Sequence, residues 1–248
     1  PRPGRGAASR RPGAVDLRAP LCHASPGRRD RGRAMADFAQ RRTTMVDSQV
    51  RTADVTKFPI IEAMLHVPRE DFLPEARREA AYLGENLFLA PGRVVLEPRT
   101  LAKLLDALDP RPGERVLVVG AAFGYGAALL ARMGAMVTAL EDGPARAEAA
   151  RAALGRHGLA ADVVEGPLHA PPPGPFDAVL VEGAVEVVPE ALVAVLAPGG
   201  RIAALFAEGP LGIARLGQEA GGRINWRHLF NAGAPVLPGF ARPREFVL

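Results

Sequence analysis

Apolar residues between positions 115 and 206 recur with two alternating periods. Val116-Leu117-Val118-Val119 is a short β-branched run, and Met136 to Leu140, Ala161 to Val164, Asp177 to Val181 and Arg201 to Phe206 are four more. Runs of this length, closed by glycine, proline or an acid, predict strands. Between them, Tyr125 to Met133, Gly143 to His157 and Pro189 to Leu196 carry alanine, leucine and long polar residues at helical spacing, the last stopped by Pro198-Gly199-Gly200. The alternation predicts an α/β fold, with a central, mostly parallel sheet and helices on both faces. Upstream, Met45, Val46, Val50, Val55, Phe58, Ile60, Ile61, Met64, Leu65 and Val67 predict an N-terminal helical cap over Met35 to Pro74. Arg99 to Leu108 reads as an amphipathic helix. Ala80 to Pro98 is long, has no period and holds Gly84, Pro91 and Gly92, which predicts a binding loop. Ile213–Leu216, Ile224–Phe230 and Glu245–Leu248 are expected as late, partly antiparallel strands. The chain thus divides into residues 1–34, a cap and loop over 35–110, and an α/β domain over 111–248.

The candidate chemistry gathers on one βαβ unit, Arg115 to Asp142. Its first strand ends in the small-residue turn Gly120-Ala121-Ala122-Phe123-Gly124, and its second in Glu141-Asp142. A small-residue turn lets backbone approach a ligand at a helix N-terminus. An acid about 20 residues later, at the end of the second strand, can accept hydrogen bonds from ribose hydroxyls. Glu165-Gly166 and Glu182-Gly183 follow two further strands, so four segments are expected at the carboxyl ends of the sheet, where open α/β sheets bind ligands. Ala122 stands where a second glycine is usual and is expected to narrow the turn. A dinucleotide and S-adenosylmethionine both suit this unit. The order of elements, with a helical region first and the ligand turn deep in the chain, favours the second. There is no G-x-S-x-G elbow and no phosphate-binding GxxxxGK[ST]. The five histidines are scattered, and no metal site is expected.

Charge changes the picture only at one end. The net charge is +4, but residues 1–34 hold nine arginines and two acids, which leaves −3 on the remainder. The basic balance therefore belongs to the leader, and neither nucleic-acid binding nor a membrane span is expected. Pro1 to Ala34 is Arg/Pro/Gly-rich and expected to be disordered, with the native start at Met35. The one cysteine, Cys22, lies in that leader, which fits a cytoplasmic, reducing setting.

Several local motifs then converge. Val67-Pro68-Arg69-Glu70-Asp71-Phe72-Leu73-Pro74 resembles VPRxxFVP, Pro110 to Tyr125 resembles PGxxVLEIGTGSGY, Pro175 to Val181 matches PFDAIIV, and Leu196 to Arg201 reads LAPGGR. Together, over roughly Met45 to Leu248, they resemble the protein-L-isoaspartate O-methyltransferase family. That resemblance implies a Rossmann-like class I methyltransferase fold with S-adenosylmethionine as cofactor. Glu141 would hold the ribose, Glu165 the adenine amine, and Gly120, Ala121, Ala122 and Gly124 the methionine portion, with Asp142, Gly166 and Glu182 beside them. It also implies a monomer acting on isoaspartyl proteins or peptides. The family's substrate loop, GQTIS, aligns with Gly92-Arg93-Val94-Val95-Leu96, opened by Ala81-Tyr82. Both hydroxyl positions, Val94 and Leu96, are apolar here, and Arg93 is the remaining polar candidate for contact with a substrate carboxylate. Two functions follow: methylation of isoaspartyl or altered acceptors, or a binding or regulatory role that keeps the fold without the reaction.

Overall fold

The computed structural model describes residues 28–243, with side chains from residue 37. Helix α1 spans Arg28–Met45 and continues through a π-helical turn (Val46–Val50) and a 3-10 turn (Arg51–Ala53). Residues 28–34 of the leader are thus part of α1. The prolines of the leader all precede residue 27, and Arg and Ala after it are good helix formers. The rest of the leader, with Cys22, lies outside the described residues, as does the expected strand at Glu245–Leu248. Helix α2 (Phe58–His66) has a proline in its first turn, and 3-10 turns at Arg69–Phe72 and Glu75–Ala80 complete the cap.

The expected loop over Ala80 to Pro98 is in part a ribbon: β1 (Leu87–Ala90) pairs antiparallel with β2 (Arg93–Val95). Helix α3 (Pro98–Leu108) follows. It buries Leu101, Leu104, Leu105 and Leu108, one helical stripe, and closes on Asp109 in the left-handed region.

The main sheet contains β3 (Arg115–Val119), β4 (Met136–Glu141), β5 (Ala161–Glu165), β6 (Phe176–Val185), β7 (Leu196–Phe206), β8 (Ile213–Ala220) and β9 (Arg223–Phe230). Their order is β5-β4-β3-β6-β7-β8-β9, parallel up to β7 and antiparallel for the last two. Helices α4 (Tyr125–Arg132), α5 (Pro144–Arg156) and α6 (Glu190–Ala194) connect the parallel strands. Successive residues of β3 feed opposite faces. Val116 and Val118 pack with α2, α3, α4 and α5, whereas Leu117 and Val119 pack with Leu192 of α6 and with Leu168, Leu237 and Phe240 from loops. Burial on both faces explains why β3 reads as an unbroken apolar run. The second face is thus closed largely by loops.

Two boundaries differ from expectation. Strand β6 does not end at Val181 but runs on through Glu182-Gly183-Ala184, with a register shift against β7 between Leu180 and Ala184. Strand β7 begins at Leu196 and includes the Pro198-Gly199-Gly200 turn, which shortens α6 to five residues. The order in which strands are added reverses between β3 and β6, so the switch point of the sheet lies beside the end of β3.

Leu105 of α3 is fully buried, whereas Phe88 of the ribbon is 62% exposed. Leu105→Ala is expected to lower unfolding stability by about 2–5 kcal/mol. Phe88→Ser should stay within about 0.5 kcal/mol of the parent in the same urea titration.

Candidate functional site

The turn after β3 is stitched to the end of β4. The Gly120 and Ala121 N–H groups both donate to the Leu140 carbonyl, at 2.9 and 3.2 Å, and Gly124 N–H donates to Ala121 O at 2.8 Å. Gly120 (φ +79°) and Ala122 (φ +51°) both adopt the left-handed region. For alanine this costs roughly 1–2 kcal/mol. A specific contact holds Ala122 there: its N–H donates to Glu141 Oε2 at 2.7 Å.

Glu141 is the centre of the site. It is fully buried at the end of β4. Its Oε1 accepts from Gly143 N–H at 3.1 Å and from Arg146 Nε at 2.6 Å, while its Oε2 accepts from Ala122 N–H and from Arg93 Nη2. Burial pushes the Glu141 carboxyl above its ordinary range, against the pull of Arg93 and Arg146. Asp142 next to it receives Arg146 Nη2 at 2.8 Å, and Arg93 Nε lies 3.2 Å from its Oδ1, off the line of a hydrogen bond. For Asp142 burial is outweighed by the hydrogen bond with Glu141 and by the two arginines, and its carboxyl lies below the ordinary value.

Arg93 therefore turns inward, but onto Glu141 and not toward an open substrate cleft. Val94 and Leu96, at the family's hydroxyl positions, are buried at 0% and 1% exposure in the hydrophobic core.

Glu182 lies in the irregular stretch of β6, at 2% exposure, with Oε1 lacking a partner. A Cβ on Gly126 would stand 1.6 Å from that oxygen, so glycine in the first turn of α4 makes room for the Glu182 carboxylate as placed. Burial raises the Glu182 carboxyl to about 8, against the charges of Arg69 and Arg93 and with that of Glu141. Arg69 is also buried. It donates to Ala81 O and Leu96 O, both at 2.7 Å, leaves Nη1 free of partners, and lies 4.8 Å over the Tyr125 ring. The Tyr125 hydroxyl is buried without a partner and pushed up to about 12, chiefly by burial. Sequence reasoning assigned no role to Arg69 or Tyr125. Their signal was membership of the VPRxxFVP and GSGY segments. Tyr82, in the loop, is held by Glu70 and by Arg42 of α1.

Of the expected residues, Gly120, Ala121, Ala122, Gly124, Glu141, Asp142 and Glu182 thus meet at the ends of β3, β4 and β6. Glu165 and Gly166 lie one step away. With Asp142, Pro167, Leu168, His169, Pro238 and Gly239 they line a cleft of about 410 Å³. A larger depression of about 600 Å³ between α6 and β9, near Trp226, contains none of these residues. No group of three or more potential metal ligands occurs among the described residues.

Residues 40–212 match the family described as protein-L-isoaspartate(D-aspartate) O-methyltransferase. The chain belongs to this family. A protein-L-isoaspartate O-methyltransferase of Methylorubrum extorquens is 43% identical over 181 residues, covering 71% of this chain and 79% of the relative. One from Aeropyrum pernix is 39% identical over 185 residues, covering 71% and 69%. The fold matches a Plasmodium falciparum β-aspartate methyltransferase solved with S-adenosyl-L-homocysteine, with a TM-score of 0.67 and 18% identity, covering 81% of this chain and 97% of that one. The parallel sheet, with its glycine turn and strand-end acid, is that of the class I methyltransferases. Protein-L-isoaspartate O-methyltransferases take S-adenosylmethionine as methyl donor. The acids Glu141, Asp142 and Glu165 and the Gly120–Gly124 turn have the chemistry that such a cofactor asks for, but the Arg93 guanidinium lies over Gly120 and donates to Glu141.

The Glu182 carboxyl offers a pH test of this geometry. A carboxyl raised by folding holds its proton in the native state after the unfolded chain has lost it. Stability therefore falls as pH rises from about 4.5 to about 8, by up to roughly 1.4 kcal/mol for each pH unit crossed. In urea titrations across this window, Glu182→Gln should match the parent near pH 5, show a flatter dependence, and be a few kcal/mol more stable near pH 8.5.

Proposed function

We propose that this chain is an S-adenosylmethionine-dependent protein carboxyl methyltransferase acting, as a monomer, on isoaspartyl residues of proteins or peptides. The observation that carries this reading is the buried Glu141 carboxylate at the end of β4, facing the Gly120 turn at the switch point of the sheet. A bound S-adenosylmethionine supplies an electrophilic methyl group. The acceptor carboxylate is already ionised near neutral pH, so the reaction asks for alignment and exclusion of water and not for a strong base. Glu141 and the Gly120–Gly124 turn would line the place of the cofactor. Val94 and Leu96 have no donors with which to orient an acceptor. Buried donors without partners include Arg69 Nη1, the Tyr125 hydroxyl, and Arg93 Nε and Nη1. Glu182 is largely protonated at neutral pH, which reduces its repulsion of an incoming carboxylate.

One observation favours a second reading, a binding or regulatory protein without turnover: Arg93 occupies the ligand side of Glu141. Transfer of labelled methyl groups to an isoaspartyl peptide, with the normal aspartyl peptide as control, separates the two. Incorporation into the isoaspartyl peptide alone supports the enzyme. Binding of S-adenosylhomocysteine in calorimetry without any incorporation supports the second reading.

The lost hydroxyls are now core positions. Val94→Thr with Leu96→Ser should lower stability by at least about 3 kcal/mol in a denaturant titration, through a core cavity and two buried hydroxyls. The same assay should record no gain in methyl transfer, because the new hydroxyls are sealed from any acceptor.

A further inference from the structure

We propose that the Arg93 side chain is a latch on the cofactor cleft: it occupies the ligand side of Glu141, and S-adenosylmethionine binds only after the guanidinium has left. This rests on the family's cofactor as read above and concerns how this chain admits it.

Three observations carry the proposal. The first is space. A Cβ on Gly120 would lie 2.7 Å from Arg93 Nη1, so the guanidinium fills the place above the turn that the glycine keeps open. The second is hydrogen-bonding capacity. An ionised carboxylate has about four acceptor sites. Glu141 already receives Arg93, Arg146, Ala122 N–H and Gly143 N–H. No site remains for ribose hydroxyls unless one donor leaves. The third is which donor is most easily released. Two are turn amides, and Arg146 sits in the first turn of α5 and also binds Asp142. Arg93 instead belongs to a three-residue strand in a ribbon outside the main sheet, and its Nε and Nη1 lack hydrogen-bond partners although buried. A guanidinium with unsatisfied donors is incompletely compensated for its burial. The backbone of β2 is held in the core by Val94 and Val95, so the Arg93 side chain is the movable part. The cleft beside Asp142 and Glu165 stays open, and Arg93 is not among its lining residues. The latch therefore closes one end of the site and leaves the other accessible.

A ligand that binds only an open minority has its apparent affinity reduced by the open fraction. Arg93→Gln, which installs the glutamine of the family's GQTIS segment, removes the latch. Calorimetry with S-adenosylhomocysteine on the full chain, after a circular dichroism melt has shown the variant folded, is expected to give at least tenfold tighter binding for Arg93→Gln than for the parent. Equal affinities, a difference below tenfold, or no binding by either protein overturns the latch. The parent alone supplies a second measurement, which decides should the variant not fold. Its observed association rate should reach a plateau with rising S-adenosylhomocysteine, set by the opening of the latch. A rate that rises linearly over the same range overturns the proposal. The methyl-transfer assay keeps the two readings apart. Tighter binding without transfer by either protein retains the latch and removes the enzyme, whereas equal affinities with transfer do the reverse.

Discussion

A buried carboxylate with four donors sets the arrangement of everything around it. Glu141 joins β4, the turn after β3, the start of α5 and the β1–β2 ribbon in one electrostatic knot. Burying an unpaired charge is strongly unfavourable, and removing one partner from a buried pair typically costs about 3–5 kcal/mol. The knot therefore fixes local geometry that the sequence around it would not choose. Ala122 holds a left-handed backbone, normally glycine's, because its N–H has a carboxylate to meet. The missing glycine is accommodated by a charge-assisted hydrogen bond.

The same knot explains the mixed character of the site. At its centre both oxygens of the Glu141 carboxylate are fully engaged. Around it, Arg93, Arg69, Tyr125 and Glu182 each keep a buried atom without a partner. Such atoms are expensive in a closed interior. The contrast separates a saturated carboxylate from surrounding groups that retain unused hydrogen-bonding capacity.

Much of the architecture was legible in the sequence, and the reasons are physical. The parallel strands are buried on both faces, so they appear as continuous apolar runs, and Glu141 and Glu165 close their strands as expected. The β1–β2 ribbon was illegible because Pro91-Gly92 interrupts it and its strands are only four and three residues long. The extension of β6 was hidden because Glu182 reads as the end of a strand, whereas the irregular pairing with β7 turns it into the interior. Arg93 was read as a candidate contact for a substrate carboxylate, and its partnership with Glu141 was not foreseen. Arginine defaults to the surface, and nothing in a linear pattern says which carboxylate it will meet. The Val94-Val95-Leu96 run directly after it was the available hint that this backbone is buried. Those residues also reveal the limit of motif alignment: positions matched to substrate hydroxyls are, in this chain, part of the core.

The contact between Gly126 and Glu182 has a consequence for how such a site can change over time. With 1.6 Å between a Gly126 Cβ and the Glu182 carboxylate oxygen, the two positions are a single steric unit split between a helix and a strand. A side chain at 126 requires the Glu182 carboxylate to turn aside, and the glutamate as placed here leaves no room for one. Substitutions at this pair are therefore coupled. Position 126 can grow only as the side chain at 182 shrinks or moves away, so a change at either is felt at the other.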